Sequence, residues 1–390
     1  KAEIYEEEFN TGLKIRLKGD FEKKNSNKNL LNNTGIVKFH GQLKKISKYK
    51  FSKIDKFYQY QPELLITKKN TLIFFDDKGT VLNFAKNNKL IWKNNVYSKF
   101  EKKQKPILYF ASNDKILIVT DNLAKYYAIN IDTGKTIWSK SNIAPFNSQV
   151  KIFKDKFFAI DFENVLRCFS IKDGNEIWNF KTEKSFIKSQ QKLSFIINNN
   201  KIVFINTLGD LTSVDIETGN LVWQTPTQSS TIIENYFSLK NSDLILENNT
   251  IYFSNNQNQF YSIDIKNGFM NWMNQINSSL TPILIQDTIF TISDEGYLYT
   301  LQKKEGNIIR INDIYEIYKP KERKKIKPIG FKIGNEKLYL TNNDGKILVV
   351  DLSTGKVVKT QKISRETISK PFINNENLYI IKNGSIIKFN

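Results

Sequence analysis

The chain has 390 residues, 40% hydrophobic and 13% aromatic, which is enough apolar mass for a core and biased toward strands rather than helices. Lys plus Arg number 59 against 39 Asp plus Glu, a formal charge of +20, but the cations are scattered as KK and KN pairs, which reads as a solvated lysine surface, and no aromatic-rich nucleic-acid motif accompanies them. The single Cys, Cys168, excludes an intrachain disulfide and a Cys-based zinc site, and no apolar run is long enough for a membrane-spanning helix.

In chain order, residues 1–29 open on the acidic Glu6, Glu7 and Glu8 and continue Lys- and Asn-rich. They predict an extended or disordered lead with one edge strand, LKIRLKG, ahead of a single domain over 30–390. From Pro62 the chain repeats a unit of about 45 residues, which marks a repeat architecture. The five Trp expose it. Trp92, Trp138, Trp178, Trp223 and Trp272 each follow, by four residues, Asn88, Gly134, Gly174, Gly219 and Gly268. Asn and Gly tolerate the positive φ that a tight hairpin demands. Two further copies keep the turn, at Gly306 and Gly355, and put Arg310 and Lys359 where Trp stood.

About ten residues before each turn lies a second one, at Gly79, Ala124, Asn164, Gly209, Asn258, Gly296 and Gly345. Between the two turns runs an alternating strand such as LTSVDI or YLYTLQ. Upstream come another strand, such as KIVFIN or TIYFSN, and a further apolar stretch often opened by Pro: Pro62, Pro106, Pro282, Pro328 and Pro371. Four short strands per unit make the blade of a β-propeller. The last unit, ending at Asn390, has only three strands. Seven complete units and one split unit predict an all-β, eight-bladed propeller whose last blade is closed by an N-terminal strand, since an open ring would leave strand edges unpaired. Residues 34–39 (TGIVKF) are the first candidate for that strand and residues 49–54 the alternative. The basic run at 319–327 (KPKERKKIK) reads as an exposed loop.

The unit D-x-x-T-G-K-x-x-W, clearest from Asp132 to Trp138 and from Asp215 to Trp223, the latter one residue longer before its turn, resembles the pyrroloquinoline-quinone-like (PQQ-like) propeller repeat. The resemblance covers roughly residues 34–390. It implies that Trp92, Trp138, Trp178, Trp223 and Trp272, with Gly134, Gly174, Gly219 and Gly268, dock neighbouring blades. One branch of the fold builds quinone-dependent dehydrogenases. The other looks like the BamB-type accessory lipoproteins of the outer-membrane β-barrel assembly machinery, with local likeness in FYQYQPELL (57–65) and DEGYLYTL (294–301). That branch implies a non-catalytic scaffold on the periplasmic side of the outer membrane, lipid-anchored in the full-length protein. It would be monomeric within a complex and would bind the β-barrel assembly protein and nascent outer-membrane proteins. The partner surface would lie on inter-blade loops such as 182–192 and 225–242.

Enzymatic chemistry finds little footing. The quinone dehydrogenases set their cofactor against a disulfide of adjacent cysteines, which one Cys cannot form. DDKG (76–79), SDEG (293–296) and NNDG (342–345) fall on hairpin turns and do not continue into a twelve-residue calcium loop. The only His, His40, lies in KFHGQ, outside the repeat, as a bystander. Cys168, within LRCFSI, reads as a buried thiol. No catalytic, cofactor-binding or metal-binding residue is assigned, and no cofactor or nucleic-acid partner is expected. The alternatives are a PQQ- or metal-dependent oxidoreductase and a glycan- or envelope-binding propeller.

Overall fold

The computed structural model describes residues 9–17, 39–54, 57–60, 62–182, 191–227 and 239–390. It forms eight four-stranded antiparallel sheets, the blades of an eight-bladed β-propeller. Blades 1 to 7 span 65–94, 108–141, 151–181, 195–225, 245–274, 283–313 and 328–362, each with its strands in chain order. Two compact units divide the chain, one of residues 47–239 with 383–386, the other of the remaining described residues. The first holds blades 1 to 4 and the second blades 5 to 7, together with most of blade 8.

Blade 8 carries the split closure. Its sheet orders Phe372–Asn374, Asn377–Lys382, Ser385–Phe389 and, at the edge, Lys45–Lys50. The closing strand is therefore neither 34–39, of which 34–38 lie outside the described residues, nor 49–54, with which it shares only Tyr49 and Lys50. The chain ends fix the register. The Asn390 N–H donates to the Lys44 carbonyl and the Leu43 N–H to that of Asn390, so two distant ends imitate a hairpin. Strand pairing beginning at 45 follows from where Asn390 meets the chain.

All fourteen turn positions named above have positive φ. Ala124 does so at φ 68°, where an L-residue is strained by about 1–2 kcal/mol. Of the two turns named above for each blade, the first joins strands two and three and the second joins strands three and four; at the first, a side-chain oxygen accepts the backbone N–H groups two and four residues on. Asp76 takes Lys78 and Thr80, Asp121 takes Leu123 and Lys125, Asp161 takes Glu163 and Val165, and Asn206 takes Leu208 and Asp210. Within DDKG, Asp76 Oδ1 is thus engaged in the turn itself. At the second hairpin, Asn130 accepts from Thr133 as Asp215 does from Thr218, and each turn Gly N–H bonds the carbonyl four residues back. The two loops are equally long. The residue equivalent to Asp215 is Asn130 rather than Asp132.

The third strands do not alternate between core and solvent as their polarity pattern predicts. Leu211–Asp215 and Tyr297–Gln302 are buried on both faces through their middles. Small polar residues, Thr212, Ser213 and Thr300, are packed inside because other side chains cover both faces of the sheet. Opposite each Trp sits one of these small residues: Asn83 faces Trp92, Ala128 Trp138, Cys168 Trp178, Ser213 Trp223 and Ser262 Trp272. The register then shifts by a β-bulge at the next residue, and blades 6 and 7 repeat the bulge after Thr300 and Val349. A bulge re-aims the side chain beside it. Cys168 is fully buried, and burial pushes its thiol up to about 12. It is the small member of a cross-strand pair with Trp178.

The run 319–327 is not loop throughout, because Pro320–Arg323 forms a helical turn opened by Pro at its first position. Of the predicted edge strand LKIRLKG, residues 13–17 are described and join no sheet.

Ala128 holds in blade 2 the place of Cys168 in blade 3. Cys168→Ala is therefore expected to stay within about 1 kcal/mol of the native chain, whereas Cys168→Leu overfills the site beneath Trp178 and costs about 1–3 kcal/mol. Urea unfolding of both variants checks this.

Candidate functional site

The repeated chemistry lies at the seams, where the last strand of one blade meets the second hairpin of the next. Trp92 Nε1 donates to the Ile131 carbonyl at 2.9 Å, Trp138 to Ile171 at 2.9 Å, Trp178 to Ile216 at 3.2 Å and Trp272 to Lys303 at 3.1 Å. Each acceptor stands three residues before the turn glycine, and the indole lies flat against that glycine. A Cβ added to Gly134 would sit 2.6 Å from Trp92, to Gly174 2.7 Å from Trp138, to Gly219 2.6 Å from Trp178 and to Gly306 2.6 Å from Trp272. These glycines are required twice over, by φ and by the ring above them. Trp223 faces Ser213 across its own sheet, and Gly268 turns blade 5 at φ 75°.

Where Trp is absent, other donors reach toward the next blade, and Arg310 reaches the equivalent carbonyl. Arg310 Nη2 donates to the Leu352 carbonyl at 2.6 Å, three residues before Gly355. Lys359 Nζ reaches the Gln42 carbonyl at 2.6 Å beside the split hairpin of blade 8. Tyr49, on the closing strand, donates to the Lys86 carbonyl at 3.2 Å in the hairpin of blade 1. Arg310 is fully buried, and burial pulls its pKa down against the opposing field of Asp351.

A second polar cluster lies in blades 2 and 3. Arg167 bridges Asp161 at 2.7 Å and Glu176 at 2.6 Å. Tyr97 Oη donates to Asp121 Oδ2 at 2.5 Å, and Lys125 pairs with Glu101 at 2.6 Å. Burial pushes the Asp121 carboxyl up to about 6, with the Tyr97 and backbone donors opposing. These groups satisfy one another. Among the described residues no cluster of His, Cys, Asp and Glu is arranged to hold a metal ion. His40 is exposed, with its ring against the Asn335 amide.

Of the expected partner loops, 183–190 and 228–238 lie outside the described residues. Their described ends are structural: Thr182 donates to the Asn164 carbonyl, Lys192 pairs with Glu63 at 2.6 Å, and Thr227 donates to the Gly209 carbonyl. A second exposed surface is the outer edge of the fourth strands. Each is paired on one side only. Leu90, Ile91, Ile137, Ile177, Leu221, Val222 and Val358 are exposed there. The edge of blade 5, Met270–Asn274, carries no charge, and Phe269, Met270 and Met273 are 71%, 55% and 44% exposed. An unprotected apolar edge invites an added strand, and Met adapts to varied partners. The signal was in the sequence as the one Trp strand made of Met, Asn and Trp alone.

The Asp121 carboxyl, raised on folding, is protonated more readily in the native chain than in the unfolded one. Between about pH 4 and 6 the native state therefore binds the extra proton, and this group's contribution falls as pH rises, by about 2–3 kcal/mol. Asn206 holds the equivalent place in blade 4, so Asp121→Asn is expected to fold. Relative to the native chain it gains stability from pH 4 to pH 7, as read by urea midpoints across that range.

A family model described as outer membrane protein assembly factor BamB matches residues 77–312, more than half of the chain. No curated protein matches the sequence. Among solved structures the fold is similar to that of BamB from Moraxella catarrhalis, with a TM-score of 0.73 at 13% identity over 89% of this chain and 99% of that one. It is also similar to the computationally designed Ika8 protein, with a TM-score of 0.65 at 12% identity over 87% and 99%. The C-terminal WD40 domain of Sif2 gives 0.64 at 12% identity over 91% and 100%. At these identities the structural likenesses speak for the fold. The family model spans the blades that hold the Trp138, Trp178 and Trp272 seams, and the chain belongs to the family of the outer membrane protein assembly factor BamB.

Proposed function

We propose that the chain is a non-catalytic protein-interaction scaffold of the bacterial cell envelope, assisting assembly and insertion of β-barrel proteins into the outer membrane. The observation that carries this reading is the family match over residues 77–312. The geometry supports it from the other side. The buried Asp121, Asp161 and Arg310 are spent on turns and seams, while apolar strand edges face outward.

In this reading the partners are the β-barrel assembly protein and nascent outer-membrane proteins, held on the periplasmic side of the outer membrane by a lipid anchor on the full-length protein. Residues 30–390 act as one propeller domain. An extended partner segment adds to a blade edge through main-chain hydrogen bonds, and exposed side chains of that edge set the preference. The uncharged edges at Leu221–Thr225 and Met270–Asn274 are the best suited. The charge of +20 favours acidic partners and speeds their encounter.

The purified chain is expected to recover the β-barrel assembly protein from an envelope extract. Met270→Lys with Met273→Lys, at exposed positions where substitution costs about 0.5 kcal/mol or less, is expected to reduce the capture of extended outer-membrane substrates severalfold. Failure to recover the assembly protein counts directly against the reading.

A further inference from the structure

Residues 9–17 lie along the seam of blades 6 and 7, and their contacts are those of a bound peptide. The Ile311 N–H, on the outer strand Ile308–Asp313 of blade 6, donates to the Phe9 carbonyl at 2.9 Å. Asn10 Nδ2 reaches the Ile309 carbonyl at 3.4 Å. The chain turns at Asn10, with the Leu13 N–H on the Asn10 carbonyl, and crosses to blade 7, where the Ile15 N–H donates to the Ser353 carbonyl at 3.1 Å. Phe9 packs on Tyr297 with ring centroids 5.9 Å apart, while Ile15 and Leu17 rest on the core beneath blades 6 and 7. Leu13, Lys14 and Arg16 face solvent. One face of the segment is thus read by side chains and its backbone by hydrogen bonds.

Arg310 sits at the centre. At a seam such as that of Trp272 the indole has one N–H and uses it on one carbonyl. Arg310 supplies five donors. Nη2 takes the seam carbonyl of Leu352, while Nη1 takes both the Ser353 carbonyl at 2.5 Å and the Leu13 carbonyl at 2.9 Å. Three carbonyls hold the buried guanidinium while its Nε has no hydrogen-bond partner, so loss of one more acceptor adds to the cost of an unsatisfied buried donor. The replacement of Trp by Arg at this one blade is matched by a segment that offers it a carbonyl.

We propose that the seam of blades 6 and 7 is a binding site for an extended peptide backbone, that its resident ligand is residues 9–17 of this chain, and that Arg310 is the group that recognises that ligand. The site shields the blade 6 edge, which the chain's own lead occupies as a partner strand would. This inference stands apart from the assembly role, since it concerns a segment of the chain itself.

The test uses the full chain. Arg310→Trp restores the side chain found at the blade 5 seam, so the fold is kept while the contact to Leu13 is lost. In hydrogen exchange, the Ile15 and Ile311 amides are expected to exchange about ten- to a hundredfold faster in R310W than in the native chain. The inner strand Tyr297–Gln302 should keep its protection. In parallel, a fluorescent peptide of residues 9–17 (FNTGLKIRL) is added in trans. It should bind the full-length F9S/I15P variant, whose own segment is loosened and whose Arg310 is intact, more tightly than the native chain, and R310W added to that variant should abolish binding. Unchanged protection of Ile15 and Ile311 in R310W overturns the proposal, as does equal peptide binding to all variants or to none. Protection in the native chain that disappears on dilution assigns the slot to a second copy's segment and also overturns it.

Discussion

In blades 2, 3, 4, 6 and 7 the fold depends on one carbonyl, three residues before the glycine of the second hairpin, whose donor the preceding blade supplies. At four seams that donor is an indole N–H, and the ring that carries it fills the space a Cβ would take on the glycine. The arrangement couples two requirements at one point. A buried carbonyl left without a partner costs about 1–3 kcal/mol, and a large flat ring lies against the hairpin that bears it. The bulge opposite each Trp, and the small residue that precedes it, complete the geometry by letting the ring turn out of its own sheet toward the next.

Arg310 keeps the acceptor and changes the donor, at the Leu352 carbonyl, while Lys359 and Tyr49 reach carbonyls at other positions, those of Gln42 and Lys86. Each departure falls where the chain does something other than repeat. Arg310 meets residues 9–17, Lys359 meets the junction of the two chain ends, and Tyr49 lies on the closing strand. Loss of the Trp is thus not decay of the repeat but a sign that a non-repeating segment has joined the seam.

The blade count and the turns were legible because they rest on local demands. Asn88, Gly134 and Gly355 mark hairpins for the same φ reason wherever they stand, and three strands before Asn390 require a fourth from elsewhere. The identity of that strand was not legible. Residues 34–39 copy the Gly-to-aromatic offset of the repeat, yet the pairing is set by where Asn390 meets Leu43 and Lys44, a contact between distant residues. The bulges escaped notice for a related reason. A small residue ten positions before a Trp is meaningful only once the two are seen to be paired across strands, as Cys168 and Trp178 are. The same holds for the serines before the first strands. Ser148, Ser242 and Ser369 each accept a backbone N–H from the end of the second strand, at Ile160, Ser254 and Ile381, and in the sequence they pass for loop residues. The partner surface was the least legible of all, because edge exposure is a property of the assembled sheets rather than of any motif.

Rigid seams and open edges divide the labour of this molecule, since packing consumes the periodic residues and leaves the last strands to meet other chains. The seam is therefore the claim on which the rest stands, and a double-mutant cycle between Trp92 and Gly134 tests it most directly. Gly134→Ala drives a Cβ into the indole and should be strongly destabilising in the native chain. In the Trp92→Ala background the ring is gone, only the φ strain remains, and the cost should shrink by about 1 kcal/mol or more. Costs that simply add, with no coupling between the two positions, would contradict the account.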